Sequence, residues 1–224
     1  MQLVWSETNA GRTSLGIQAN GLGETAPFPR ELILDTRLDV RPPDRLWVAG
    51  ALCFGARLAG TWDASTLIST QVRTAVGEFL GPDVPFNPTV SDEAYQWYPG
   101  GGSAVVIAGS GAMLDSNPVM EEATFAIELR ELGDWTGRLY SIDRLITSTN
   151  AYLHASVPGA ANTVGPYLGT AILLATELHM DQLILARTSF DEVDPEWWRR
   201  AIRLCAAVGI DLQSPTAAVP TLES

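Results

Sequence analysis

The stretch Ala104-Val105-Val106-Ile107-Ala108-Gly109-Ser110-Gly111-Ala112-Met113-Leu114-Asp115-Ser116 decides the fold. Its first five residues are wholly apolar, which fits a strand buried on both faces, and Gly109-Ser110-Gly111 then turns the chain. Asp115 and Ser116 stand just ahead of Pro118, at the mouth of a predicted helix. A strand running through a glycine turn into a helix is where α/β proteins bind phosphates. The strand end frees its last amides, glycine lets the backbone come close, and the helix N-terminus adds partial positive charge. Gly109, Ser110, Gly111 and Ser116 are therefore candidate phosphate-binding residues. The alternative is an ordinary glycine turn. Asp115 has two compatible roles, holding magnesium beside a bound phosphate or capping the helix.

Downstream, residues 117–132 read as a helix with Glu121 and Glu122 near its positive end and Glu128 and Glu131 as solvated charges. Residues 137–142 predict a strand, 143–155 a polar helix and 166–180 a strongly apolar helix. A buried strand follows over 182–186. Asp194-Pro195-Glu196 then caps a helix that carries Trp197 and Trp198 on to residue 208, and 210–213 gives a last short strand. Adjacent tryptophans on a helix point about 100° apart, so one is expected in the core and the other nearer solvent. Strands alternating with helices imply an α/β fold: a parallel sheet with right-handed crossovers and helices on both faces, Rossmann-like. Arg187 directly follows the 182–186 strand and is the candidate cation for a ligand phosphate or carboxylate, with surface pairing as its alternative. Asp191 opens an acidic group with Glu192, Asp194 and Glu196 at the expected carboxyl edge of the sheet. It is a candidate magnesium ligand; a solvated helix start is the other reading.

Upstream, short extended pieces at 3–5, 14–19 and 31–34 make a β-rich entry. Arg41-Pro42-Pro43-Asp44 supplies a stop and a cap for a buried helix over 45–58. Residues 66–72 alternate as a strand does, while 72–80 fit either strand or helix. Gly81 to Pro88 breaks regular structure, and Tyr98-Pro99-Gly100-Gly101-Gly102 is a flexible join. The expected organisation is a smaller α+β region over 1–100 and a nucleotide-binding-like α/β domain over 101–224.

Composition excludes several chemistries. At 224 residues, 46% hydrophobic and 18% charged, the chain suits one sizeable core. No apolar run approaches the ~20 residues needed to span a bilayer, and no secretory signal is read at the N-terminus, so the expectation is a cytoplasmic protein without a membrane partner. A net charge of -12 repels a phosphate backbone, which argues against nucleic acid and for a small-molecule ligand. Lysine is absent, so all 14 basic residues are arginine. That removes the P-loop lysine, the Schiff-base lysine and the lysine general base, but leaves arginine forks and amide nests for phosphate. Cys53 and Cys205 lie far apart among apolar neighbours and read as core residues. With His154 and His179 as the only histidines, no zinc-ligand spacing is present. A hydrolase pairing Ser110 with either histidine lacks the nucleophile-elbow spacing.

From residue 103 onward the layout resembles the PP-loop ATP pyrophosphatases, the adenine-nucleotide alpha-hydrolase-like (HUP-type) superfamily, nearest the 7-cyano-7-deazaguanine synthase branch. In that family the first strand ends in Ser-Gly-Gly-x-Asp-Ser, matched here by Ser110, Gly111, Asp115 and Ser116. The resemblance covers about the second half of the chain. It implies a HUP-like fold, ATP and magnesium as cofactors, and adenylation of a carboxylate or carbonyl oxygen before a nucleophile displaces AMP, with Asp115 and Arg187 serving the reaction. The match has one residue too many and lacks the second loop glycine, and the family's lysines have no counterpart here. Those departures give the competing reading: an interaction or scaffold protein with a protein partner and a decayed nucleotide site.

Overall fold

A computed structural model of the chain describes residues 1–8, 11–21, 25–58, 60–91, 100–108, 123–156, 163–186 and 193–213. In the first half, β1 (Gln2–Glu7) and β2 (Thr13–Gln18) form an antiparallel hairpin, and β3 (Glu31–Leu34) adds antiparallel to β2. Helix α1 (Pro43–Phe54) starts on Pro43, whose fixed φ and missing N–H suit a first turn. Asp44 lies inside that turn instead of capping it, and its carboxylate accepts from Ser69 N at 2.9 Å. A 3-10 turn over Gly55–Arg57 leads to β4 (Trp62–Ser69), parallel to β1. Ser69 caps α2 (Thr70–Leu80) by accepting from Val72 N, which fixes the strand-to-helix boundary left open by the sequence. β5 (Phe86–Ser91) pairs parallel with β4 at the sheet's edge, beside a shift in register, a position that tolerates Pro88.

In the second half, β6 (Gly102–Ala108) runs parallel to β7 (Phe125–Glu131), and β8 (Arg138–Tyr140) folds antiparallel onto β9 (Arg144–Thr149), itself parallel to β7. Then come α3 (Ala151–Ala155), α4 (Gly165–Glu177), β10 (Met180–Leu185) parallel to β6, α5 (Pro195–Ala206) and β11 (Asp211–Gln213) parallel to β10. Two expectations fail here. Residues 125–131, read as part of a helix, are strand β7, with Phe125, Ile127 and Leu129 facing the main core and Ala126 the opposite face. Residues 144–149, read as a polar helix, are the buried strand β9, and only 151–155 is helical.

The chain is thus α/β with a mixed, mostly parallel sheet, in the order β11-β10-β6-β7-β9-β3-β2-β1-β4-β5. Residues from both sides of position 100 share that sheet and one core. Read outward from the β3–β9 contact, the halves repeat one plan: third, second, first, fourth and fifth main strand, with α1 and α4 leading into the fourth and α2 and α5 into the fifth. β3 and β9 are antiparallel, as a two-fold axis normal to the sheet requires. α1 packs against α4 at that axis, and α2 against α5. The symmetry breaks at the second strand. A short turn makes β2 antiparallel to β1, whereas β7 is parallel to β6.

All five α-helices among the described residues send their buried side chains into one apolar cluster, on the sheet face of Ala104, Val106, Leu183 and Leu185. The described helices thus cover this face, and residues 117–122, the start of a helix predicted from the sequence, lie outside the described residues. The opposite face of β6, β7 and β10 carries a second cluster that includes Val105, Ile107, Ala126 and Ile184. No helix among the described residues is long and apolar enough to cross a membrane.

Candidate functional site

β6 is buried along its length from Ala104 to Ile107, as a strand with neighbours on both edges and cover on both faces must be. One parallel neighbour is β7 and the other is β10, in register through Val106↔Leu185, with Ala186 N donating to Val106 O at 2.9 Å. The chain leaves β6 toward β7 on one side and comes back from β9 to β10 on the other. The strand order therefore reverses at β6, and in open α/β sheets ligands bind outside the carboxyl ends of the strands at such a switch point. Gly109, Ser110, Gly111, Asp115 and Ser116 follow Ala108, and Arg187 and Asp191 follow Ala186. All seven lie outside the described residues. The structure does place their points of departure, Ala108 and Ala186, at the carboxyl ends of adjacent parallel strands.

Two more of the acidic candidates are described. Asp194 caps α5, accepting from Glu196 N at 3.1 Å and Trp197 N at 3.4 Å. Glu196 pairs with Arg199 at 2.8 Å in an exposed ion pair. Both act at the helix terminus. Trp197 is buried and Trp198 only partly so, as their spacing predicts.

The helix layer holds a second feature at the same rim, because α1 and α2 end there and α4 and α5 begin there. A cavity of about 160 Å³ is lined by Cys53, Arg57, Phe79, His154, Trp197 and Arg200, among others. His154 is 1% exposed and saturated. Its Nε2 meets Glu31 O at 2.8 Å, and a carbonyl only accepts, so Nε2 carries the proton. Its bare Nδ1 accepts from Arg57 Nη2 at 2.7 Å. The imidazole is pushed down to about 4, by burial above all, with the Glu31 carbonyl opposing the shift and the Arg57 charge adding to it. His154 is neutral near pH 7 and has no lone pair left for base catalysis, with Ser110 or any other partner.

Arg57 also donates to Phe28 O and Cys53 O, both at 3.0 Å, and stacks over Phe54. Arg200 donates to Phe79 O at 3.3 Å, while its Nε is buried without a partner. Neither guanidinium forms an ion pair among the described residues. The position related by the pseudo-two-fold also holds an arginine. There the buried Arg45 reaches from the start of α1 to Thr176 Oγ1 at 3.1 Å and Val208 O at 3.4 Å.

Glu128 reverses its sequence reading. It is 3% exposed, and its carboxylate pairs with Arg130, whose Nε lies at 2.6 Å, and with Arg144 at 3.9 Å. Cys53 and Cys205 are buried free thiols with pKa values raised by burial, as core residues should be. Among the described residues no group of three or more His, Cys, Asp or Glu is placed to hold a metal ion. Nothing local marks Arg57, Arg200 and His154 as a set, since 97 residues separate Arg57 from His154 and the folding of both halves brings them together. Comparisons of the chain with family models, with curated proteins and with solved structures give no match.

Proposed function

We propose that the chain is a nucleotide- or phosphate-ligand-binding α/β protein of Rossmann-like, HUP-like build, with its site at the carboxyl rim of β6 and β10. The observation that carries this is the reversal of strand order at β6, with two chain segments leaving adjacent parallel strands at one edge. In this reading the amides of Gly109, Ser110 and Gly111 and the hydroxyl of Ser116 receive phosphate oxygens, and Arg187 supplies fixed positive charge. Asp115 and Asp191 would hold the magnesium that offsets the charge of ATP. The apolar cluster behind β6 and β10 supports cover on both faces of these strands, as a Rossmann-like sheet needs. The protein would act in the cytoplasm, where ATP is available.

In its enzymatic form the reaction is adenylation. A carboxylate oxygen attacks the α-phosphorus of ATP, the bond from that phosphorus to the bridging oxygen breaks, and pyrophosphate leaves. The loop amides and Arg187 would stabilise the charge developing on the leaving group. The extra loop residue and the absence of lysine favour a second reading, an interaction protein that keeps the fold without the chemistry. Calorimetric titration with ATP and magnesium separates them. Saturable heat that Asp115→Ala abolishes supports the nucleotide site; no heat at millimolar ligand rejects it.

A further inference from the structure

We propose that the cavity between the ends of α1 and α2 and the starts of α4 and α5 binds a small monocarboxylate with a compact apolar body, held by Arg57 and Arg200. A guanidinium withdrawn from water without an acid partner is costly, the more so the deeper it is buried, and both Arg57 and Arg200 are half-buried. Here two of them line one cavity, neither has an ion pair among the described residues, and the other titratable groups among the described wall residues, His154 and Cys53, are neutral. The described wall therefore carries two positive charges and no negative one. An anion is the missing component.

The size and walls narrow its class. A cavity of about 160 Å³ is close to the roughly 150 Å³ that admits a single benzene ring. Apart from the two arginines the wall is mainly apolar or aromatic, with Leu52, Phe79, Leu80 and Trp197 prominent. A phosphate or sulfate ion would leave most of its oxygens against carbon. A monocarboxylate presents two oxygens on one side, which match a guanidinium fork, and a hydrocarbon remainder that fits the rest. Arg57 is held ready by the three hydrogen bonds it donates, to Phe28 O, Cys53 O and His154 Nδ1, so binding need not order it. Arg200 commits only Nη1, to Phe79 O, among the described residues.

The pseudo-two-fold supplies a control within the molecule. At the other end of the α1–α4 pair Arg45 is hydrogen-bonded to Thr176 and Val208. Packing these helices thus sets a hydrogen-bonded arginine side chain at one end and the cavity at the other.

The test is titration of the full chain with benzoate, followed by calorimetry and ligand-observed NMR, with benzyl alcohol and inorganic phosphate as comparators. Benzoate is expected to bind saturably and the comparators about tenfold more weakly or worse. Arg200→Gln should weaken benzoate by about tenfold or more while leaving the unfolding midpoint in place. Leu80→Trp, which fills the space and leaves both arginines, should abolish binding. No saturable benzoate binding to the wild-type chain overturns the proposal, as does equal binding of benzyl alcohol or phosphate. Benzoate binding that both variants leave unchanged overturns it too. None of these readouts depends on ATP, so this site and the nucleotide site can fail separately.

Discussion

His154 Nδ1 accepts a hydrogen bond from Arg57 Nη2 at 2.7 Å, tying the helical segment after β9 in one half of the chain to the turn after α1 in the other. The bond needs a neutral imidazole, and burial secures one by lowering the pKa from 6.5 to about 4. Between those values the unfolded chain binds a proton that the folded chain does not. This contribution to stability is therefore complete above about pH 6.5 and lost as pH falls toward 4. It amounts to something on the order of 3 kcal/mol. In urea unfolding at a series of pH values, wild type should lose its advantage over His154→Gln as pH drops through that window. A constant difference would refute the assignment.

Asn150 completes the seam between the halves. The β3–β9 ladder has a single aligned pair, Leu34↔Thr149, and Asn150 extends it with its side chain. Its Oδ1 accepts from Ile33 N at 2.7 Å and its Nδ2 donates to Glu31 O at 2.8 Å. Glu31 O keeps His154 as a donor if Asn150 is lost, but Ile33 N is left bare. Asn150→Ala should cost about 2 kcal/mol or somewhat more, read as a lower urea midpoint. A change within error would show that the seam is held elsewhere.

Much of the second half was legible because its signals are local. β6, α4, β10, α5 and β11 follow from apolar runs, from Pro195 in a first turn and from the Asp194 cap. β7 and β9 were lost for a non-local reason. Glu128 and Arg130 look like the charges of a solvated helix until Arg144 from the next strand joins them and lets Glu128 be buried. Thr147, Ser148 and Thr149 look polar, yet they are buried, and Ser148 reaches Asp35 across the β3–β9 seam. β5 was hidden by Pro88, whose tolerance depends on the strand lying at an edge. The candidate site divides the same way. Its glycine loop is a run of adjacent letters, while Arg57, His154 and Arg200 come together only through the turn after α1, α3 and α5.

The α1–α4 contact at the pseudo-two-fold depends on missing side chains. A Cβ at Gly169 would stand 2.9 Å from Ala49 O, and one at Gly165 would press still closer on Leu52 O. Helical Gly77 on α2 has nothing within 4 Å of its notional Cβ. Gly165→Ala should therefore destabilise by about 1–3 kcal/mol, whereas Gly77→Ala should stabilise by roughly 0.4–1 kcal/mol. Thermal unfolding of the two variants beside wild type checks both signs. Equal shifts would contradict close backbone contact between α1 and α4.

The central claim is that the carboxyl rim of β6 and β10 receives a phosphate-bearing ligand, and backbone amide NMR during titration with ATP and magnesium tests it most directly. The account predicts saturable shifts at Ala108, Gly109, Ser110, Gly111, Ser116 and Ala186, lost in Asp115→Ala. Shifts confined to Gly101, Gly102 and Ser103 at the opposite end of β6, or none at millimolar nucleotide, would contradict it.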